Sequence, residues 1–277
     1  MKKILIAGST GFLGSKLKDR LLNESDLVVK TINRSSGDYK FRDLDTIEET
    51  FDTVFVLFAL LPSKDLSLSD YKKINYDLTK QLIEKFPAAR FVFSSSISIY
   101  ENAQEKPCGE SSKGLDISDY AQSKLDAESL FCDKDAIILR LSSLYGPGMK
   151  ENTFLPIVLS SAFDKNEITL IGDSSRKQNY SYIDDVVSFL ILAAQSKEQG
   201  VFNAVDSKSY SNKELAEIVT KLVADTKIKE IKDERLFYSF EISNEKWMNC
   251  FNQESKINLE EGLRSYLEYK LKNKENA

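Results

Sequence analysis

The side chains best equipped for chemistry in this chain are Tyr120 and Lys124, four residues apart in "YAQSK". On a helix that spacing turns both toward one side. A tyrosine hydroxyl titrates near ~10, too high to exchange protons readily at neutral pH, and a nearby ammonium favours its phenolate. The pair is therefore a candidate proton donor and acceptor. Spacing alone does not separate it from a surface pair, because Tyr and Lys meet by chance in a lysine-rich chain. Upstream lies "FVFSSSISIY" (91–100), an apolar strand ending in Ser94, Ser95 and Ser96, which by itself could simply finish a sheet. The chain has no histidine, and Cys108, Cys132 and Cys250 are widely separated with no CxxC spacing. That excludes a histidine acid/base and argues against zinc or any other metal.

A second constellation is "AGSTGFLGS" (7–15), where Gly8, Gly11 and Gly14 follow an apolar run and precede a helical stretch. A strand-to-helix turn of this kind has a physical task. One glycine permits the tight turn, the next lets backbone approach a pyrophosphate, and the third lets helix pack on strand. The helix N-terminus adds N–H donors and the positive end of its dipole.

The GxxGxxG spacing resembles that of the short-chain dehydrogenase/reductases. "GSTGFLG", the serine-ended strand, "YAQSK" and "LYGPG" (144–148), occurring in this order, resemble the extended branch, the NAD(P)-dependent epimerase/dehydratase family. The resemblance covers essentially the whole chain. It implies that Ser96, Tyr120 and Lys124 are catalytic, with Ser96 holding the substrate oxygen on which Tyr120 acts and Ser94 nearer the cofactor. It implies cofactor contacts at Gly8, Thr10, Gly11, Phe12, Leu13 and Gly14, at Asn33 and Arg34, and at Asp43 and Leu44. Further contacts are implied at Phe58, Ala59, Leu60, Asn75, Leu141 and Ser142, besides Tyr120 and Lys124 themselves. Substrate contacts fall at Ser96, Ser143, Asn152 and Gln178, where Gln178 stands in the place of the arginine usual in nucleotide-sugar enzymes. Asp184 and Asp185 are expected to cap a helix.

NAD-preferring members place an acidic residue at the end of the second strand, whereas this chain has Asn33 and Arg34 there. An arginine can pair with a 2′-phosphate, so NADP is the expected cofactor and NAD the alternative. Dehydratases carry an Asp-Glu pair after the active-site Ser/Thr, and here Ile97 and Ser98 follow. The implied function is hydride transfer to the keto carbon of a nucleotide-linked 4-keto-6-deoxy sugar, with Tyr120 as acid/base. The alternatives are a 4-epimerase with tightly held NAD, a reductase of another small carbonyl compound, and a non-catalytic NADPH-binding regulatory or structural protein.

The elements that must position these residues alternate as in a parallel α/β sheet. Strands are expected at 3–7, 27–32, 53–59, 90–96 and 135–142, and helices at 12–23, 71–86 and 119–131. Beyond residue 148 the segments are shorter. The expected fold is a Rossmann-type doubly wound sheet, residues 1–148, with a small α/β substrate lobe, 149–277, whose elements are free to return to the main sheet. Net charge is −5 and charged residues make up 29%, which argues against nucleic acid as a partner. The apolar run at 54–61 is too short to span a membrane. The chain is expected to be cytoplasmic and, by resemblance, a homodimer through the helices at 71–86 and 119–131.

Overall fold

The structure, a computed structural model, describes residues 1–275 apart from 152 and 234–237. Its strands are β1 (Lys2–Ala7), β2 (Leu27–Asn33), β3 (Tyr39–Lys40), β4 (Thr53–Val56), β5 (Arg90–Ser96) and β6 (Ala136–Leu141). They continue as β7 (Ser143–Tyr145), β8 (Glu167–Ile171), β9 (Lys177–Tyr182), β10 (Gly200–Asn203), β11 (Ser209–Ser211) and β12 (Lys227–Ile231). The helices are α1 (Phe12–Leu21), α2 (Leu68–Tyr71), α3 (Leu78–Lys85), α4 (Asp119–Ser129), α5 (Phe154–Lys165), α6 (Ile183–Gln195), α7 (Asn212–Leu222), α8 (Glu245–Phe251) and α9 (Leu259–Glu275).

Seven strands form the central sheet in the order β10-β6-β5-β4-β1-β2-β3, each neighbouring pair parallel. Near-continuous apolar runs suit strands buried on both faces. Ile4 and Ile6 of β1 join a core formed with Leu13, Leu17 and Leu21 of α1 and Val186 and Leu190 of α6. Leu5 and Ala7 face the other way, toward Leu82 and Ile83 of α3 and Ala127 of α4. This two-residue alternation is what puts helices on both faces. The sheet is doubly wound, as the sequence predicts.

A second sheet, β11-β9-β7, and a parallel pair, β12-β8, build the smaller lobe. Tyr145, Leu159, Ile168, Leu215 and Leu263 are buried in its own core. β10 lies beyond residue 148 yet returns to the central sheet beside β6. Two elements differ from expectation. The strand expected over 53–59 ends at Val56, because the chain leaves the ladder after Leu57 N–H reaches the Ala7 carbonyl at 2.9 Å. The helix expected over 71–86 begins at Leu68, where Ser67 and Asp70 form a capping box, and its Lys72–Asp77 segment is a π-turn. Among the described residues, no helix is long and apolar enough to cross a membrane.

Candidate active site

Parallel register brings the carboxyl ends of the strands to one edge: Ala7 pairs with Ile32 and with Val56, and Ser96 with Leu141. The chain runs from β1 to β2 on one side, then resumes at β4 on the other. Ligands of such sheets bind outside the carboxyl ends at this reversal. The glycine turn sits there. Gly8 has φ +93°, and a Cβ on it would lie 2.6 Å from the Phe58 amide nitrogen. A Cβ on Gly14 would collide with the Gly8 carbonyl oxygen, so this glycine is what lets α1 approach β1. Gly11 differs: a Cβ there would meet only the Gly8 carbonyl oxygen, at 3.5 Å, and otherwise open space.

Gly11 is also the N-cap of α1, with no side-chain cap and no acidic residue in the first turn. The leading N–H groups of a helix lack intrahelical partners and carry the positive end of its dipole. An open cradle with unclaimed donors fits a dinucleotide's pyrophosphate. Thr10, Phe12 and Leu13 border it. Asn33, by contrast, stands behind the turn. It is 4% exposed, accepts from the Thr10 N–H at 3.3 Å and donates to Ser9 Oγ at 2.9 Å. Arg34, the next residue, is exposed.

The adjoining residues divide between core and rim. Leu44 is buried while Asp43 is exposed and pairs with Arg42 at 3.6 Å. Phe58 packs edge-on against Phe41 at 5.0 Å. Leu60 is held by Asn75, whose Oδ1 accepts the Leu60 N–H at 2.7 Å and whose Nδ2 donates to Ser123 Oγ at 3.0 Å. Ala59 lies between these two anchors.

Ser96, Tyr120 and Lys124 are brought together from β5 and α4. Ser118 caps α4 by accepting from Ala121 N–H at 3.3 Å, and is itself fastened by Glu101, which accepts from its N–H at 2.7 Å. That fixes the turn carrying Tyr120. Lys124 donates from Nζ to the Ser94 carbonyl at 2.6 Å, and Ser94 Oγ donates to the Val56 carbonyl at 3.1 Å. Lys124 Nζ also stands 4.1 Å from the Phe93 ring centroid. Ser96 Oγ accepts from the Ser98 N–H at 3.1 Å.

Burial changes the expected electrostatics. Tyr120 is 9% exposed, and desolvation pushes its hydroxyl above the ordinary value, opposed by a hydrogen bond with Ser96. Lys124, 1% exposed, is pulled down to about 7 by desolvation, with Glu128 opposing. Burial thus disfavours charge on both groups. Tyr120 is therefore neutral at neutral pH, whereas Lys124 exchanges its proton in that range.

Beneath this site runs a polar network that the sequence reading missed. Glu128 accepts from Ser95 Oγ at 2.5 Å and from Arg140 at 3.0 Å (Nε) and 2.7 Å (Nη2). Arg140 Nη1 also donates to the Tyr100 hydroxyl at 2.7 Å. The available signal was a lone arginine inside the apolar strand "AIILRL".

On the lobe side, parallel pairing of β7 with β9 brings Ser143 and Gln178 into hydrogen-bond contact. Leu141 is buried at the end of β6, and Ser142 Oγ meets Ser181 Oγ at 2.7 Å. Asn152 lies outside the described residues. Asp184 and Asp185 do not cap α6, which has no side-chain cap. Asp185 instead accepts the Ile257 N–H at 3.0 Å, tying the start of the last helix to the site's lobe.

Residues 4–204 match the sequence profile of the NAD dependent epimerase/dehydratase family. The chain belongs to that family. Its members are enzymes of the extended short-chain dehydrogenase/reductase kind. Among relatives, UDP-glucuronic acid decarboxylase 1 of Arabidopsis thaliana is 25% identical, over 94% of this chain and 68% of its own length. The chain spans only 57% of two further decarboxylases from that plant. The UDP-glucuronate 4-epimerase of Thermodesulfobacterium geofontis is 24% identical, over 97% of this chain and 96% of its own. A solved structure of UDP-N-acetylglucosamine 4-epimerase from Methanobrevibacter ruminantium, in complex with UDP-N-acetylmuramic acid, superposes with a TM-score of 0.86. It is 24% identical and covers 98% of this chain and 99% of that one. This likeness establishes the fold.

Proposed function

We propose that this family member acts at a carbinol carbon of a nucleoside-diphosphate sugar, as a 4-epimerase. The observation that carries the reading is the Ser96–Tyr120–Lys124 cluster with Ile97 and Ser98, rather than two carboxylates, beside Ser96. Without an acid next to Ser96, protonation of a leaving hydroxyl has no obvious donor, so dehydration is disfavoured. The UDP-glucuronate 4-epimerase relative, matched over 96% of its own length, supports the same choice.

In this reading the glycine turn and the first N–H groups of α1 hold the dinucleotide's pyrophosphate, and the Leu57–Leu60 segment lies along it. A nicotinamide bound there would supply the capacity to take up and return hydride, and in its oxidised form a positive charge that favours a phenolate. Ser96 orients the sugar hydroxyl by hydrogen bonding. Tyr120 takes that hydroxyl's proton and later gives it back to the alkoxide of the epimer. Lys124 keeps the Tyr120 side of α4 fastened to β5 and lends charge when protonated. Ser143 and Gln178 offer neutral donors and acceptors to the substrate. The outward side of α2, α3 and α4, where Lys72 and Asp126 pair at 2.9 Å and Leu125 is exposed, is the candidate surface for a second copy.

A 4-ketoreductase using NADPH is the second reading, favoured by the exposed Arg34 at the end of β2. The two separate in one assay. Purified protein is given UDP-glucose, UDP-glucuronate or their N-acetylated counterparts with NAD, and in parallel a nucleotide-linked 4-keto sugar with NADPH, and the products are followed by NMR while absorbance at 340 nm is recorded. Epimerisation inverts C4 with no net change in reduced nicotinamide. Stoichiometric oxidation of NADPH by a 4-keto sugar, with no epimer formed from the UDP-sugars, would replace the first reading by the second.

A further inference from the structure

The segment from Leu57 to Ser63 leaves the β-ladder after its first residue, so its remaining backbone groups need partners from elsewhere. Two side chains from one helix supply them. Asn75 takes the Leu60 N–H, as described above. Tyr71, the last residue of α2 and 2% exposed, accepts the Ser63 N–H on its hydroxyl at 2.8 Å. Its own proton faces the carbonyls of Ser63 at 3.2 Å and Leu61 at 3.4 Å. Tyr71 and Asn75 share this side of the helix across the π-turn, and Thr79 Oγ1 donates to the Asn75 carbonyl at 2.8 Å. π-turns cluster at functional sites because they re-aim side chains in this manner.

The other end of Tyr71 touches the chemistry. Its ring packs edge-on against the Tyr120 ring, with centroids 5.9 Å apart and planes at 71°. Such pairs contribute orientation as well as burial. One side chain thus meets both the segment that crosses the glycine turn and the tyrosine assigned to proton transfer.

We propose that Tyr71 is a positioning residue with two separable duties: its hydroxyl pins the Leu61–Ser63 end of the cofactor-covering segment, and its ring sets the Tyr120 ring. The proposal rests on the functional reading above for the words "cofactor-covering", but the pinning itself belongs to the protein alone. Asn75 holds the middle of the segment and Tyr71 its far end, so loss of the hydroxyl frees the end without unfastening Leu60. Loss of the ring removes a wall of the Tyr120 pocket and admits water beside its hydroxyl.

Tyr71→Phe keeps the ring and deletes the hydroxyl, so it should fold normally. Hydrogen exchange on the protein without added ligand should then speed up at the Ser63 amide by about 5-fold or more, with α4 unchanged. NAD(H) or NADP(H) should bind about 5- to 30-fold more weakly, the range for one or two lost hydrogen bonds. The pH midpoint of turnover should stay near that of the parent, because the ring beside Tyr120 is kept. Tyr71→Leu should in addition move the pH midpoint of turnover downward, because burial beside Tyr71 helps hold the Tyr120 hydroxyl up. A Tyr71→Phe protein with parental exchange at Ser63 and parental cofactor affinity overturns the proposal. If the parent protein binds no dinucleotide, the functional reading fails, while the exchange at Ser63 still decides whether Tyr71 pins the segment.

Discussion

Lys124 Nζ donates to the backbone carbonyl of Ser94 at 2.6 Å, which fastens the helix bearing Tyr120 to the strand bearing Ser96. The ammonium is buried, and desolvation holds its pKa at about 7, whereas an unfolded lysine keeps its proton to above pH 10. Between these values the unfolded chain binds the extra proton, so stability contributed at this site rises with pH and is lost as pH falls from about 10 to 7. Lys124→Met removes the term. Its unfolding free energy relative to the parent should be highest near pH 7 and should decline toward pH 10, by about 1.4 kcal/mol per pH unit at most. A difference that stays flat over that range refutes the depressed pKa.

Tyr120→Phe should bind NAD(P) as the parent does and lose turnover by about 10²- to 10⁴-fold, the usual contribution of a positioned acid/base. The Tyr71 ring contact survives in this variant, so the fold is kept. Single-turnover measurements at saturating substrate are the check. Retention of more than a tenth of parental turnover removes Tyr120 from the proton path.

How far these positions could be read beforehand depends on the kind of force that sets them. The doubly wound sheet follows from local patterns, since apolar runs such as "KILIA" and "FVF" alternate with amphipathic helices. Tyr120 and Lys124 share a side of one helix, so spacing alone brings them together. Asn33 shows the opposite case: its place at the end of β2 is legible, but its turn inward onto Ser9 and Thr10 depends on a tertiary contact with a loop from another strand. The Glu128–Arg140 pair likewise depends on a tertiary contact, that of α4 with β6. The fall of Lys124 toward neutrality comes from burial, which a sequence does not display.

Gly11 and Gly14 separate binding from folding. Gly11→Ala meets nothing closer than ordinary contact, so its stability should remain within about 1 kcal/mol of the parent. Its methyl fills the open cradle, and dinucleotide affinity should fall about tenfold or more. Gly14→Ala drives a methyl into the Gly8 carbonyl and should lower the melting temperature whether or not a dinucleotide is present. Equal affinity losses with equal destabilisation in both variants would undo the assignment of Gly11 to the pyrophosphate.

Arg34 offers a direct handle on cofactor choice. A guanidinium pairs with a 2′-phosphate through charge-assisted hydrogen bonds, each contributing about 1.5–3 kcal/mol. Arg34→Ala should therefore weaken NADPH about tenfold or more while leaving NADH unchanged, as measured by fluorescence titration. Parallel losses for both dinucleotides would mean that Arg34 does not read the phosphate.

Glu128 and Arg140 form the buried pair beneath the serine-ended strand, with side chains 6% and 7% exposed. Removing one member leaves the other charge buried without its partner, at a cost of about 3–5 kcal/mol. Arg140→Met strands the Glu128 carboxylate, and Glu128→Met strands the guanidinium, so each single variant should unfold at markedly lower urea. The double variant removes both charges and should recover much of that loss, although the Tyr100 and Ser95 hydroxyls then lack one partner each. Its activity should not recover in step, because Ser95 stands between Ser94, whose carbonyl holds Lys124, and Ser96, which the proposed mechanism sets against the substrate oxygen. Urea midpoints and turnover measured on the three variants test both statements. If the double variant regains stability and full turnover together, the pair serves folding alone and the strand end needs no anchor from Glu128.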